Sequence, residues 1–199
     1  MAPLIRALSA FRPGALLGVA LLLPALLRVA APFARADDSA ISRENALKAA
    51  ALYNLIPFID WPSAGFPSPD SPVIIGVLGR DPFGRLLDGL VENERYHGHP
   101  IRVVRFSTAE SVGLCHVLFI ARAAGPQNWP RATIDFEHRP ILTVSDVDDF
   151  ASHGGSIQFF IARNHLRMII NLMAVRSAGL SVSSKLLRLA EVIPENASR

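Results

Sequence analysis

The chain has 199 residues, half of them hydrophobic, with 20 Lys and Arg against 17 Asp and Glu, a formal net charge of +3 and a pI near 9.6. Four of the basic residues and none of the acids fall in residues 1–36, so the remainder carries 16 basic and 17 acidic side chains. That balance leaves no phosphate-neutralising patch and argues against nucleic acid as a partner, while a single cysteine excludes an intrachain disulfide framework.

The opening "MAPLIRALSAFRPGALLGVALLLPALLRVAAPFARADD" places Arg6 and Arg12 before an apolar run from Gly14 to Leu27, followed by Ala34-Arg35-Ala36. This is the layout of a secretory signal peptide with an Ala-x-Ala cleavage site, and the apolar run is short for a membrane span and interrupted by Pro24. No cysteine follows it as a lipobox would require, and no twin arginine precedes it. Residues 1–36 are therefore expected to be a cleaved leader and residues 37–199 one ordinary domain. In an oxidising compartment Cys115 of "LCHVLFIA" reads as a small buried apolar residue, with pairing between chains as the alternative.

In "ISRENALKAAALYNLIPFIDWP", Ser42 is a plausible N-cap and Leu47, Ala51, Leu55 and Phe58 recur at helical spacing, with Pro57 ending or kinking the last turn. "PSAGFPSPDSP" is a linker, and "VIIGVLG" a buried strand rich in β-branched residues. "DPFGRLLDGLVENE" reads as a helix with Asp81 as N-cap and Pro82 at its first position. The alternation continues with strands in "IRVVRF", "HVLFIA" and "ILTVSD", and helices in "STAESVGL" and "NWPRATIDFEH". Strands alternating with helices predict an α/β fold: a single compact three-layer domain with a mostly parallel sheet flanked by helices.

After Gly155 the period changes to two. Ile157, Phe159 and Ile161, then Leu166, Met168 and Ile170, alternate with other residues around "RNH", where Asn164 can take positive φ, so a β-hairpin is expected. The remainder reads as a helix stopped by Gly179 and a last helix begun by Ser183 or Ser184.

Chemistry-bearing patterns fail at identifiable positions. Gly154-Gly155-Ser156-Ile157-Gln158 is one residue from a Gly-x-Ser-x-Gly nucleophile elbow, yet a strand follows the serine where a helix is required. A calcium loop starting at Asp146 would have Ala151 at its glycine position and Ile157 at its glutamate position. Asp146 and its neighbours instead suggest a short acid-capped helix, "VDDFASH". His97 and His99 could face a metal together, but nothing supplies a third ligand. "GVLGRDPFG" offers a weak anion or small-ligand loop without fitting the dinucleotide or P-loop patterns. Ser183-Ser184-Lys185 lacks the Ser-x-x-Lys spacing and reads as a helix cap. No catalytic residue, metal or cofactor is assigned.

"KAAALYNLIPFIDWP", "IIGVLGRDPFGRLL", "CHVLFIA", "ILTVSDVDDFASHGGSIQFF" and "IINLMAVRSAGLSVSSKLLRLAEVI" occur in an order and spacing that resembles the YfiR family of periplasmic proteins, from about Lys48 to Ile193. The resemblance implies a compact α/β domain without catalytic residues, which binds the periplasmic domain of a membrane-bound diguanylate cyclase of the YfiN type, or a related sensor protein, and restrains cyclic-di-GMP production. Two departures stand out: Pro57 interrupts a helix that such sequences usually continue, and one cysteine precludes redox control through an intrachain disulfide. A homodimer is a further association the reading allows. The alternative function is a periplasmic small-ligand sensor with no cyclase partner.

Partner-facing candidates are Phe58, Trp61, Phe66, Leu186, Leu187 and Arg188, an apolar and aromatic set with a charge at its rim. Core packing competes for each and is favoured for Phe58 and Leu187. Candidate ligand loops comprise Gly79, Arg80 and Asp81, then Asp146, His153, Gly154 and Gly155.

Overall fold

The computed structural model describes residues 33–122, 136 and 138–193. The expected leader lies outside these apart from the first residues of helix α1 (Phe33–Leu55), as does the helix expected in "NWPRATIDFEH" apart from Phe136 and His138. Ser42–Arg199 forms one compact unit, separate from residues 1–41.

Eight strands form the main sheet: β2 (Val73–Leu78), β3 (Arg95–Tyr96), β4 (His99–Phe106), β5 (Val117–Ile120), β6 (Leu142–Ser145), β7 (Ile157–Ala162), β8 (His165–Asn171) and β10 (Glu191–Ile193). Their order is β10-β8-β7-β6-β5-β2-β4-β3. The central run β4-β2-β5-β6-β7 is parallel throughout, β3 and β8 pair antiparallel with β4 and β7, and β10 joins β8 in parallel. Two short strands, β1 (Ile59–Asp60) and β9 (Ser181–Val182), form a separate antiparallel ribbon. The mostly parallel sheet flanked by helices, with its C-terminal hairpin, is the architecture anticipated above.

Strands β2, β5 and β6 are buried on both faces, which is why they read as continuous apolar runs rather than alternating ones, whereas β4 is partly exposed. Successive side chains point to opposite faces, so Val73, Ile75, Val77, Val117, Phe119, Leu142 and Val144 join one core, while Leu78, Leu118 and Ile120 join another with Ile141 and Phe150. The first core is covered by α1, by α2 (Arg85–Val91) through Leu87 and Val91, by α3 (Leu172–Ser177) through Val175, and by α4 (Ser184–Leu187) through Leu186. Each fully buried large side chain contributes roughly 1.5–3 kcal/mol relative to exposure.

Several expected boundaries move. The buried stripe of α1 is Lys48, Ala49, Leu52 and Leu55, continued by Ile56 of the turn that follows, one position round from the expected one, and Leu47 is exposed. Counting apolar residues favours the wrong stripe because the correct one contains a lysine. A 3₁₀ turn, Ile56–Phe58, absorbs Pro57 at the end of the helix. Helix α2 starts at Arg85 rather than beside Asp81, whose Oδ1 accepts from the Phe83 N–H at 2.7 Å in a local turn. "STAESVGL" supplies a 3₁₀ turn, Ala109–Ser111, capped by Thr108. "VDDFASH" forms turns, not a helix. The hairpin turn has both Arg163 (φ 50°) and Asn164 (φ 63°) left-handed, as a two-residue type I′ connection requires. Asn171 Oδ1 caps α3 by accepting from Ala174 N–H, Gly179 (φ 69°) ends it, and Ser183 caps α4. Strand β10 is short, largely exposed and followed by Pro194, so no apolar run announces it.

Candidate functional site

In a parallel sheet, ligands gather beyond the carboxyl ends of the strands, where the order changes direction. Here β2 is flanked by β4 on one side and β5 on the other. Chain direction turns around between β2 and β5, and the loops after β2 and β6 meet α1 at that end. Asn45 of α1 donates through Nδ2 to the Pro82 carbonyl (2.9 Å), and Lys48, one turn on, reaches Asp146 after β6. One helix thus brings together the two loops singled out as ligand candidates.

Lys48 is 4 % exposed, and its Nζ lies 2.5 Å from Asp146 Oδ2 and 2.5 Å from Glu44 Oε1. A buried ammonium is tolerated only with such partners. Asp146 Oδ1 is buried without a hydrogen-bond partner among the described residues. Asp146 therefore binds helix α1 rather than capping a helix of its own. Arg122, after β5, donates to the Asp146 carbonyl and pairs with Asp148 at 3.4 Å.

On the β2 side, Gly79 (φ 89°) continues the pairing with β4 by donating to the Phe106 carbonyl, and Arg80 is exposed. Asp81 Oδ2 accepts from Arg105 Nε (2.9 Å), and Arg105 grips Asp88 through both terminal nitrogens at 2.6 Å. Those hydrogen bonds hold the Asp88 carboxyl below its ordinary range. The Arg105 fork, which could hold an anion, is filled by the protein's own carboxylates.

The acidic and glycine-rich stretch is held from within. Phe150 is fully buried in the second core, and Gly155 lies against its ring so closely that a Cβ there would come 2.1 Å from Phe150 Cε1. Gly154 (φ 98°) makes the turn. Ser156 is buried, accepting from Thr143 Oγ1 while its N–H donates to the same oxygen, so its hydroxyl is part of the packing. His153 is exposed, with Nδ1 2.8 Å from the Asp149 carbonyl.

The partner-facing candidates lie elsewhere. Phe58 and Leu187 are half-buried against the main core and Leu186 is buried within it. The β1–β9 ribbon and a Ser183 N–H to Phe58 carbonyl bond place these two segments side by side. Trp61 and Phe66 are half-buried on the β1–β2 loop, and Arg188 is exposed beside Leu189, which is 66 % exposed.

His97 and His99 are engaged separately, His97 against the Tyr96 ring and His99 against Phe66. Among the described residues, no group of three or more His, Cys, Asp or Glu is placed to hold a metal, and no helix is long and apolar enough to cross a membrane. An open depression of about 520 Å³ at the hairpin is lined by Arg163, His165, Arg167 and Glu191 with Ala162, residues the sequence did not single out. Lys48 was also missed, although its place in line with Leu52 and Leu55 marks it: a lysine on the buried stripe needs an acidic partner.

The sequence model of the YfiR/HmsC-like family matches residues 45–191. The chain belongs to that family. No curated protein matches it.

Proposed function

We propose that this protein is a periplasmic regulator, exported by a cleaved leader at residues 1–36, whose domain at 37–199 represses a membrane-bound diguanylate cyclase by binding the cyclase's periplasmic domain. The observation that carries the reading is the family match over residues 45–191, since the family's theme is regulation of such cyclases from the periplasm. A related membrane sensor is the neighbouring possibility for the partner. Repression requires the regulator to bind one conformation of the sensor better than the other, and each tenfold preference corresponds to about 1.4 kcal/mol. Trp61 and Phe66, half-buried on one loop, and Arg188 beside exposed Leu189 are the side chains proposed to meet the partner. The reading assigns no catalytic residue.

The test is reconstitution. A diguanylate cyclase with an extracytoplasmic sensor domain, placed in vesicles and exposed to the purified protein on the sensor side, should lose activity in a saturable manner. Unchanged activity with no binding to the sensor domain would refute the proposal.

A second reading, a small-ligand sensor, is favoured by one observation: buried Asp146 Oδ1 without a partner at the strand ends. A ligand that binds the folded state alone raises the melting temperature, and Asp146→Asn should abolish that rise.

A further inference from the structure

Residues 61–72 join β1 to β2 and cross the opposite, N-terminal ends of β2, β4 and β5, where two histidines receive them. The Phe66 ring lies 4.4 Å from that of His99, nearly parallel, and 4.6 Å from that of His116. Trp61 meets the His116 ring edge-on at 5.8 Å, and its indole N–H donates to the His116 carbonyl at 3.3 Å. His99 Nδ1 contacts the Ser71 carbonyl at 2.7 Å. The loop contains Pro62, Pro67, Pro69 and Pro72 and no regular element beyond the 3₁₀ turn Ser63–Gly65, so these histidine contacts are prominent among its anchors.

His116 is 1 % exposed, and its Nδ1 accepts the Ile74 N–H at 3.0 Å. Nδ1 is therefore unprotonated, and the ring's one proton sits on Nε2, which is buried near the Gly65 backbone but makes no hydrogen bond of good geometry. A second proton has to be added at Nδ1, where it would confront the Ile74 N–H as donor against donor and put a charge beneath Phe66. The titratable groups packed around the ring give that charge no counter-ion. His99 of β4 lies across Phe66 and opposes it, Tyr96 of β3 stands beyond Trp61 with Asp60 of β1 acting on it, and neighbouring Cys115 is kept as the neutral thiol by burial. Attraction between an imidazolium and the Phe66 face works the other way, but it replaces neither the lost Ile74 bond nor the lost hydration.

We propose that residues 61–72 form an acid-released latch: protonation of His116 breaks its bond to Ile74 and frees the loop bearing Trp61 and Phe66 from the strand ends while the sheet stays folded. Desolvation by burial, with the Gly65 backbone opposing it and His99 adding to it, pushes the imidazole down to about 4. A histidine kept neutral by the closed latch favours closure fully above pH 6.5 and loses that effect as the pH falls toward 4. Between pH 6.5 and 4 the closed-to-open ratio drops about 80-fold.

Replacing Trp129 with Phe leaves Trp61 as the single tryptophan. Between pH 7.5 and 4, its emission should shift to the red and become accessible to acrylamide while far-UV circular dichroism holds constant. His116→Asn retains an acceptor for Ile74 and takes no proton, so it should remove the transition. The imidazole proton resonances of His116, followed by NMR in the otherwise native protein, should titrate with the Trp61 signal and below the ordinary histidine range. A Trp61 signal that stays flat to pH 4, that moves only together with the loss of circular dichroism, or that persists unchanged in His116→Asn would overturn the proposal. So would a His116 resonance titrating near pH 6.5 without any response from Trp61.

Discussion

Replacing Lys48 with Met tests whether the buried ammonium ties α1 to the β6 loop. The lysine side chain is 5 % exposed and that of Asp146 18 %, so deleting the ammonium strands a largely buried carboxylate that already has one unpartnered oxygen. Breaking a buried pair from one side costs about 3–5 kcal/mol. The residual exposure of Asp146, and Glu44 standing half in solvent, reduce this to about 2–3 kcal/mol. For a unit of this size, that lowers the melting temperature by about 5–10 °C. Lys48→Met combined with Asp146→Leu removes both charges and should restore stability to within about 1 kcal/mol of the parent. Urea titrations of the four proteins give the coupling energy, expected at about 2 kcal/mol with m unchanged. Additive losses, or a Lys48→Met cost below about 0.5 kcal/mol, would refute the argument that the pair is held out of water.

Three further outcomes follow from particular contacts. Gly155→Ala should destabilise by about 1–3 kcal/mol because the new methyl enters the Phe150 ring, and Phe150→Leu in the same chain should cost less than the two single losses combined, as denaturant melts would show. Cys115, whose thiol is pushed up to about 12 by burial, should resist alkylation by iodoacetamide at pH 8 until the protein unfolds, as a mass-spectrometric time course would show. Because Arg105 lowers the Asp88 carboxyl, their contact stabilises the fold above pH 4 and is lost as acid protonates Asp88; Arg105→Gln should flatten the dependence of stability on pH in that acidic window.

Strands β2, β5 and β6 could be read because burial on both faces leaves unbroken apolar runs, and the hairpin because exposure on one side restores a period of two. The start of the last helix was readable because the Ser183 side chain acts locally there. Misreadings arose where a local signal competed with a distant partner. Asp81 and Asp146 look like N-caps in sequence, yet Arg105 is 24 residues from Asp81 and Lys48 is 98 residues from Asp146. Strand β10 depends on β8 for its existence, so three exposed residues carry no signal of it. His116 was seen as part of a strand-forming run, and its contact with Phe66 arises only once the proline-rich loop folds back over the strand ends.

The central claim is repression of a diguanylate cyclase from the periplasm, and deletion of the gene tests it most directly, with cellular cyclic-di-GMP measured by mass spectrometry. Cyclic-di-GMP should rise on deletion and return when the protein is supplied with its export leader, but not when it is supplied without one. A cyclic-di-GMP level unchanged by deletion, in cells that produce the protein, would contradict the account.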